Sequence, residues 1–179
     1  PALAVWEEQP DLLPVNKAGF DDATVALITE LCEVVMPRTD TPGAKDAGVP
    51  PFFIGMVREC YDEQQQQLFE AGFADIESRS KTLYGKPFAT LATVQKSDLI
   101  TAIDVEAMAF NKGEDTQWDG AGFTGQPHYF TLMKQLIIFG FFSSKVGGTQ
   151  VLRHSDVPGG YYGIPYNEGD KAWSTVWPW

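Results

Sequence analysis

The stretch PHYFTLMKQLIIFGFF, residues 127–142, decides how this chain folds. From Tyr129 to Phe142 only Thr131, Lys134, Gln135 and Gly140 interrupt a series of large apolar side chains. At helical pitch those side chains point in nearly every direction, and a helix that is apolar all round has to be enclosed. A membrane span needs about 20 apolar residues, and Lys134-Gln135 break this run. The stretch therefore reads as the central helix of a soluble all-α domain, or as a helix packed on two sides, by its own chain and by a second protein.

Outward from that helix, residues 143–148 (SSKVGG) close it with glycines, and a short helical segment is expected over Thr149–Leu152. From Arg153 to Trp179 the chain combines prolines and glycines with Tyr161, Tyr162, Tyr166, Trp173, Trp177 and Trp179. Such a tail is irregular and too aromatic to stand in water. Upstream, residues 111–126 are polar and glycine-rich, a surface loop. A helix is expected from Lys96 or Ser97 to Asn111, with Leu99, Ile100, Ile103, Ala107 and Phe110 on one side and Asp98, Asp104 and Glu106 on a solvated face. Phe88 and Leu91 plug the core from a connector over residues 87–94.

Earlier still, Val49 to Gly85 reads as one long helix, or two joined near Asp62, with Phe52, Leu68, Phe69, Phe73, Ile76 and Leu83 at helical spacing. Residues 37–51, PRTDTPGAKDAGVPP, hold four prolines and two glycines and form an ordered loop. It is either functional or a tight connector held by Arg38 and Asp40. The first helix starts at Asp21 or Asp22, carries Val25, Ile28, Leu31, Cys32 and Val35, and stops at Pro37. Residues 1–20 form an extended arm with Trp6, Leu12 and Leu13 as anchors, or a frayed terminus. The expected organisation is one compact helical domain over 1–179: an arm to residue 20, a helical core over 21–152 and an aromatic tail over 153–179.

Composition narrows the function. A net charge of −11 opposes binding to nucleic acid or to an anionic membrane, both of which need clustered Lys and Arg. With His128 and His154 as the sole histidines, no spacing points to a metal site. His154-Ser155-Asp156 has triad residue types, but adjacent residues cannot face one another in triad geometry. No G-x-G-x-x-G follows a strand. The expectation is a chain with no catalytic, cofactor or metal residues of its own. Cys32 and Cys60 leave three arrangements open: two free thiols, one intramolecular disulfide worth about 3–4 kcal/mol, or a bond to another subunit.

Two stretches carry a family pattern. The first is residues 35–50, VMPRTDTPGAKDAGVP. The second runs from Phe141 to Leu152 (FFSSKVGGTQVL), then Val157-Pro158-Gly159-Gly160-Tyr161-Tyr162-Gly163, with a late Ala172-Trp173. Together they resemble the gluconate 2-dehydrogenase subunit 3 family over residues from about 21 to 175; the FFSSKVGGTQVL version is also similar to small subunits of glycoside 3-dehydrogenases. Ile164-Pro165 departs from the many relatives that carry a Cys after this glycine.

The resemblance implies a cofactor-free small subunit of an exported flavoprotein dehydrogenase. Its partner would be a large FAD-containing subunit, with haem c in a cytochrome subunit taking the electrons onward. A twin-arginine export signal would precede Pro1 and lead the complex to the periplasm. The docking residues expected on this basis are Phe139, Phe142, Arg153, Val157, Pro158, Tyr161, Tyr162 and Trp173, since aromatics and Arg are common interface anchors. The competing expectation is a stand-alone helical enzyme or ligand-binding domain.

Overall fold

The computed structural model describes residues 19–113, 125–154 and 167–174, and these form an all-α fold. Most of the arm and much of the tail, including Val157, Pro158, Tyr161 and Tyr162, lie outside the described residues. Helix α1 spans Asp22–Val35. Asp21 caps it by accepting from the Thr24 amide at 2.7 Å, and hydrogen bonding to Thr24 holds that carboxyl below its usual value. Leu27, Ile28, Leu31 and Cys32 turn inward.

The proline-rich loop that follows is tied down by two carboxylates. Of the two residues expected to hold this connector, Arg38 does so by gripping Asp46 with both arms of its fork, at 2.7 and 2.8 Å, whereas Asp40 accepts from the neighbouring Thr39 hydroxyl. Asp46 also accepts from the Gly43 amide, and Glu33 accepts from the amides of Arg38 and Lys45. A guanidinium prefers a carboxylate it can meet bidentately, and the turn over 43–46 presents Asp46 that way. A Cβ at Gly43 would lie 2.6 Å from the Arg38 nitrogen, so a side chain there would force the loop backbone to shift.

Helix α2 (Val49–Glu59) has Pro50 and Pro51 in its first turn. Helix α3 (Glu63–Tyr84) begins separately because Asp62 and Gln65 form a reciprocal capping box. The two-helix alternative is thus the one adopted. Leu83, placed in the apolar set by spacing, is exposed at the end of α3. Phe88 and Leu91 do plug the core, around a 3-10 turn over Phe88–Thr90.

Helix α4 (Thr93–Gly113) starts a turn before the expected Lys96. The Ala92 amide donates to Gln95 Oε1 and caps this added turn, whose Val94 is exposed and so puts no residue in the core to signal it. Leu99, Ile100, Ile103 and Ala107 are buried, whereas Phe110, expected with them, lies one turn past the core and is partly exposed. Its ring meets the edge of His128.

Helix α5 (Tyr129–Ser143) is the centre, touching all four other α-helices. Two glycines make this approach feasible. A Cβ at Gly72 of α3 would overlap the Tyr129 ring and come 2.7 Å from Met133 Cε. One at Gly140 would come 2.7 Å from Phe52 of α2. Beyond α5 the chain makes one turn of π-helix over Gly147–Val151, starting two residues earlier than the segment expected at Thr149. The Ser144 hydroxyl organises this reversal, donating to Phe141 O and accepting from the Gly147 amide.

Cys32 and Cys60 are both free: Cys32 is wholly enclosed and Cys60 exposed at the end of α2. The intramolecular disulfide is therefore not formed. Burial pushes the Cys32 thiol far above its ordinary value.

Lys96, 8% exposed, pairs with Glu30 at 2.7 Å, and Lys45 meets the same carboxylate at 2.6 Å. Burial acts to raise the Glu30 carboxyl, but the two lysines outweigh it, so its value falls below the ordinary one. Its contribution to stability is present above the unfolded value of about 4.3 and is lost as pH falls through the folded value. Glu30→Gln should destabilise the fold by about 2–3 kcal/mol at pH 7, because Lys96 stays buried without its charge partner. Urea titrations at pH 7 and pH 3.5 check this: the difference between the two proteins should shrink at the lower pH.

Candidate docking surface

Helix α5 is enclosed on all sides but one. Gln135 and Phe139 are exposed, and Lys134, Ile138 and Phe142 are partly buried alongside them. Phe139 is 53% exposed, a large apolar side chain on the most apolar helix of the chain. It is held from beneath: Gly140 lets Phe52 lie against α5, and the Phe52 and Phe139 rings sit 6.2 Å apart at a tilt of 42°. Phe142 packs edge-on to Phe141 at 5.2 Å. With Phe52 of α2, these residues make a seam of aromatic and aliphatic surface where α2 meets α5.

The described part of the tail returns toward the end of this helix. Arg153 and Trp173 form a parallel bridge, with the Arg153 amide donating to Ala172 O at 2.8 Å and the Ser174 amide to Arg153 O at 2.7 Å. The Arg153 guanidinium pairs with Asp170 at 2.7 Å and lies 5.7 Å from the Trp173 ring centroid. Trp173 remains 53% exposed. Of the expected docking residues, the structure thus joins Arg153 to Trp173 and sets Phe139 and Phe142 on the α5 seam.

A polar cluster at the other end of α5 escaped the reading by spacing. The Tyr129 hydroxyl donates to Asp75 at 2.6 Å. Arg79 bonds Asp75 at 2.8 Å and grips Glu106 at 2.7 and 3.1 Å. Asp104, two residues before Glu106 on α4, holds Lys134 at 2.7 and 2.9 Å. Asp104 and Glu106 therefore bind neighbouring helices and do not simply face solvent. Lys134, a lone cation in an apolar helix, was the signal that a carboxylate must meet it.

The chemistry of this cluster is restraint. Hydrogen bonds from Arg79 keep the Glu106 carboxyl below its usual value, so it is ionised at neutral pH. Burial, then the bond to Asp75, raises the Tyr129 phenol, which stays a proton donor. Burial lowers His128, whose Nδ1 accepts from the Phe130 amide and caps α5. Each group is committed to a helix–helix contact or a cap. Among the described residues no cluster of three His, Cys, Asp or Glu side chains could hold a metal ion. No described helix is long and apolar enough to cross a membrane.

A family model described as gluconate 2-dehydrogenase subunit 3 matches residues 22–159, most of the chain. No curated protein and no solved structure matches it.

Two substitutions separate surface from scaffold. Phe139→Ser should change the stability of the isolated chain by less than about 1 kcal/mol, as exposed positions do. Tyr129→Phe should cost about 1–2 kcal/mol through the lost hydrogen bond to Asp75. Denaturant midpoints of the two variants against the parent chain measure both.

Proposed function

The chain belongs to the gluconate 2-dehydrogenase subunit 3 family, and from that premise we propose that it is the non-catalytic small subunit of an exported FAD-dependent sugar or sugar-acid dehydrogenase. The family ties it to the subunits of a dehydrogenase complex. In the complex proposed here, a large subunit binds FAD and oxidises the CH–OH group, and a cytochrome c subunit accepts the electrons. The small subunit stabilises the folded flavoprotein and accompanies it through twin-arginine export to the periplasm.

The observation that carries this proposal is Phe139, an aromatic ring held half out of the surface by Phe52 on the central helix. Exposed aromatic surface on a seam of partly buried apolar residues is what a stable protein interface covers. The polar clusters support the same conclusion from the other side. Asp75, Asp104 and Glu106 are paired with Arg79 and Lys134, which commits these acids and bases to holding helices together. Arg153 and Trp173, an Arg beside a half-exposed indole, add a second pair of anchor types near the end of α5.

Co-production with the FAD-containing large subunit tests the proposal. A yellow complex should form, while the chain purified alone is colourless and does not oxidise sugars. Phe139→Ala should weaken the complex by about 2 kcal/mol, roughly 30-fold in Kd, with the helix content of the isolated chain unchanged. Sugar oxidation by the pure isolated chain, or a Kd indifferent to both Phe139→Ala and Trp173→Ala, overturns it.

A further inference from the structure

A groove of about 750 Å³ opens between α1 and α3, away from the α5 seam. Its size is that of clefts that hold ligands or chain segments. The floor is small and apolar, with Ala23 and Ala26 of α1 and Ala74 of α3 above the buried Leu27 and Phe73. Along α3 it runs from Glu70 to Lys81, roughly 16 Å of helix. One end is closed by Pro87, Ala89 and Thr90, and the other is formed by Gly19, Phe20 and Arg58.

That second end is where the described chain begins. Gly19 has a φ of +76°, a conformation open to glycine that lets the backbone change direction there. The Arg58 guanidinium lies 3.7 Å from the Phe20 ring centroid, donates to Gly19 O at 3.2 Å and pairs with Glu70 at 2.9 Å. Its Nε is enclosed and has no acceptor among the described residues. A buried N–H without an acceptor is costly, so something should supply a carbonyl there. A Cβ at Gly19 would itself stand 3.9 Å from that nitrogen, so chain turning back at this residue passes within reach of it.

We propose that the segment just upstream, residues 9–16 (QPDLLPVN), is the occupant of this groove. Leu12, Leu13 and Val15 provide apolar side chains to lie over Ala26, Phe73 and Ala74. They precede Gly19 by four to seven residues, a reach of roughly 13–23 Å for extended chain, which matches the length of the groove. Pro10 and Pro14 limit the backbone freedom that would be lost on docking. An occupant tethered at the mouth also has a high effective concentration there, so a shallow groove suffices. The arm then covers one apolar face of the chain itself and leaves the α5 seam for another protein. This inference is independent of the proposed complex.

Photocross-linking on the full chain tests it. A benzophenone amino acid replaces Ala26 in one variant and Ala74 in another, and cross-linked peptides are sequenced by mass spectrometry. Both probes should couple, within the same molecule, to peptides containing residues 9–16. Combining Leu12→Glu with Leu13→Glu should lower that yield by about tenfold or more, since two apolar anchors are lost. Coupling to a second copy, coupling within the molecule only to peptides outside residues 9–16, or no coupling from either probe in a chain of unchanged helix content overturns the proposal. Because the measurement uses the isolated chain, it can fail while the complex with a flavoprotein stands, and the reverse.

Discussion

Enclosing α5 is the constraint on which the rest of the structure depends. A helix with Phe130, Met133, Ile137 and Phe141 on one side and Leu132 and Leu136 on another has no single apolar stripe to bury. It has to be surrounded, and four helices around one leave little space between backbones. Gly72 and Gly140 supply it. Each lies where an added Cβ would strike an aromatic ring, Tyr129 in one case and Phe52 in the other. Packing at this density tolerates no extra methyl group without displacement of a helix. The ends of α5 are secured by other means: His128 with the Asp75–Arg79–Glu106 cluster at its start, Ser144 and the π-turn at its finish.

The charges serve that same enclosure. In a chain of net charge −11, Lys96 and Lys134 are placed against carboxylates of other helices, and Arg79 bridges α3 to α4. Removing such cations from water is costly unless a partner meets them, so each pair also selects the helix register in which partner and cation coincide. Acids and bases spent in this way are not available for proton transfer. Chemistry on a substrate would need groups held at the edge of a cleft, with a pKa adjusted to the task.

The string that carries the family resemblance, PRTDTPGAKDAGVPP, has a structural explanation of its own. Its Arg38–Asp46 fork, the Glu33 carboxylate that gathers two loop amides, and Gly43, where a side chain has no room, turn the chain from α1 into α2. Gly48, at a φ of +71°, lets α2 begin at once. The position of α2 in turn puts Phe52 under Phe139. A motif distant from the docking seam in sequence thereby sets the seam's geometry.

Much of this was legible in the residues alone. Periodicity marked α1 and the buried side of α4, because a 3.6-residue repeat of apolar side chains has one simple solution, and the nearly unbroken apolar run marked α5. Phe88 and Leu91 could be placed in the core for their bulk in a connector. What misled lay at helix ends, where apolar residues fall beyond the core: Val94 in the first turn of α4, Leu83 at the end of α3 and Phe110 near the end of α4. The amino-acid order by itself determined that a helix apolar on every side must be surrounded, and that the loop over 37–51 must turn. Only the tertiary structure decided which side of α5 stays open, which carboxylates meet Lys96, Lys134 and Arg79, and that Cys32 and Cys60 remain apart. Those outcomes depend on where separate helices come to rest against one another, and no spacing within a single helix encodes that.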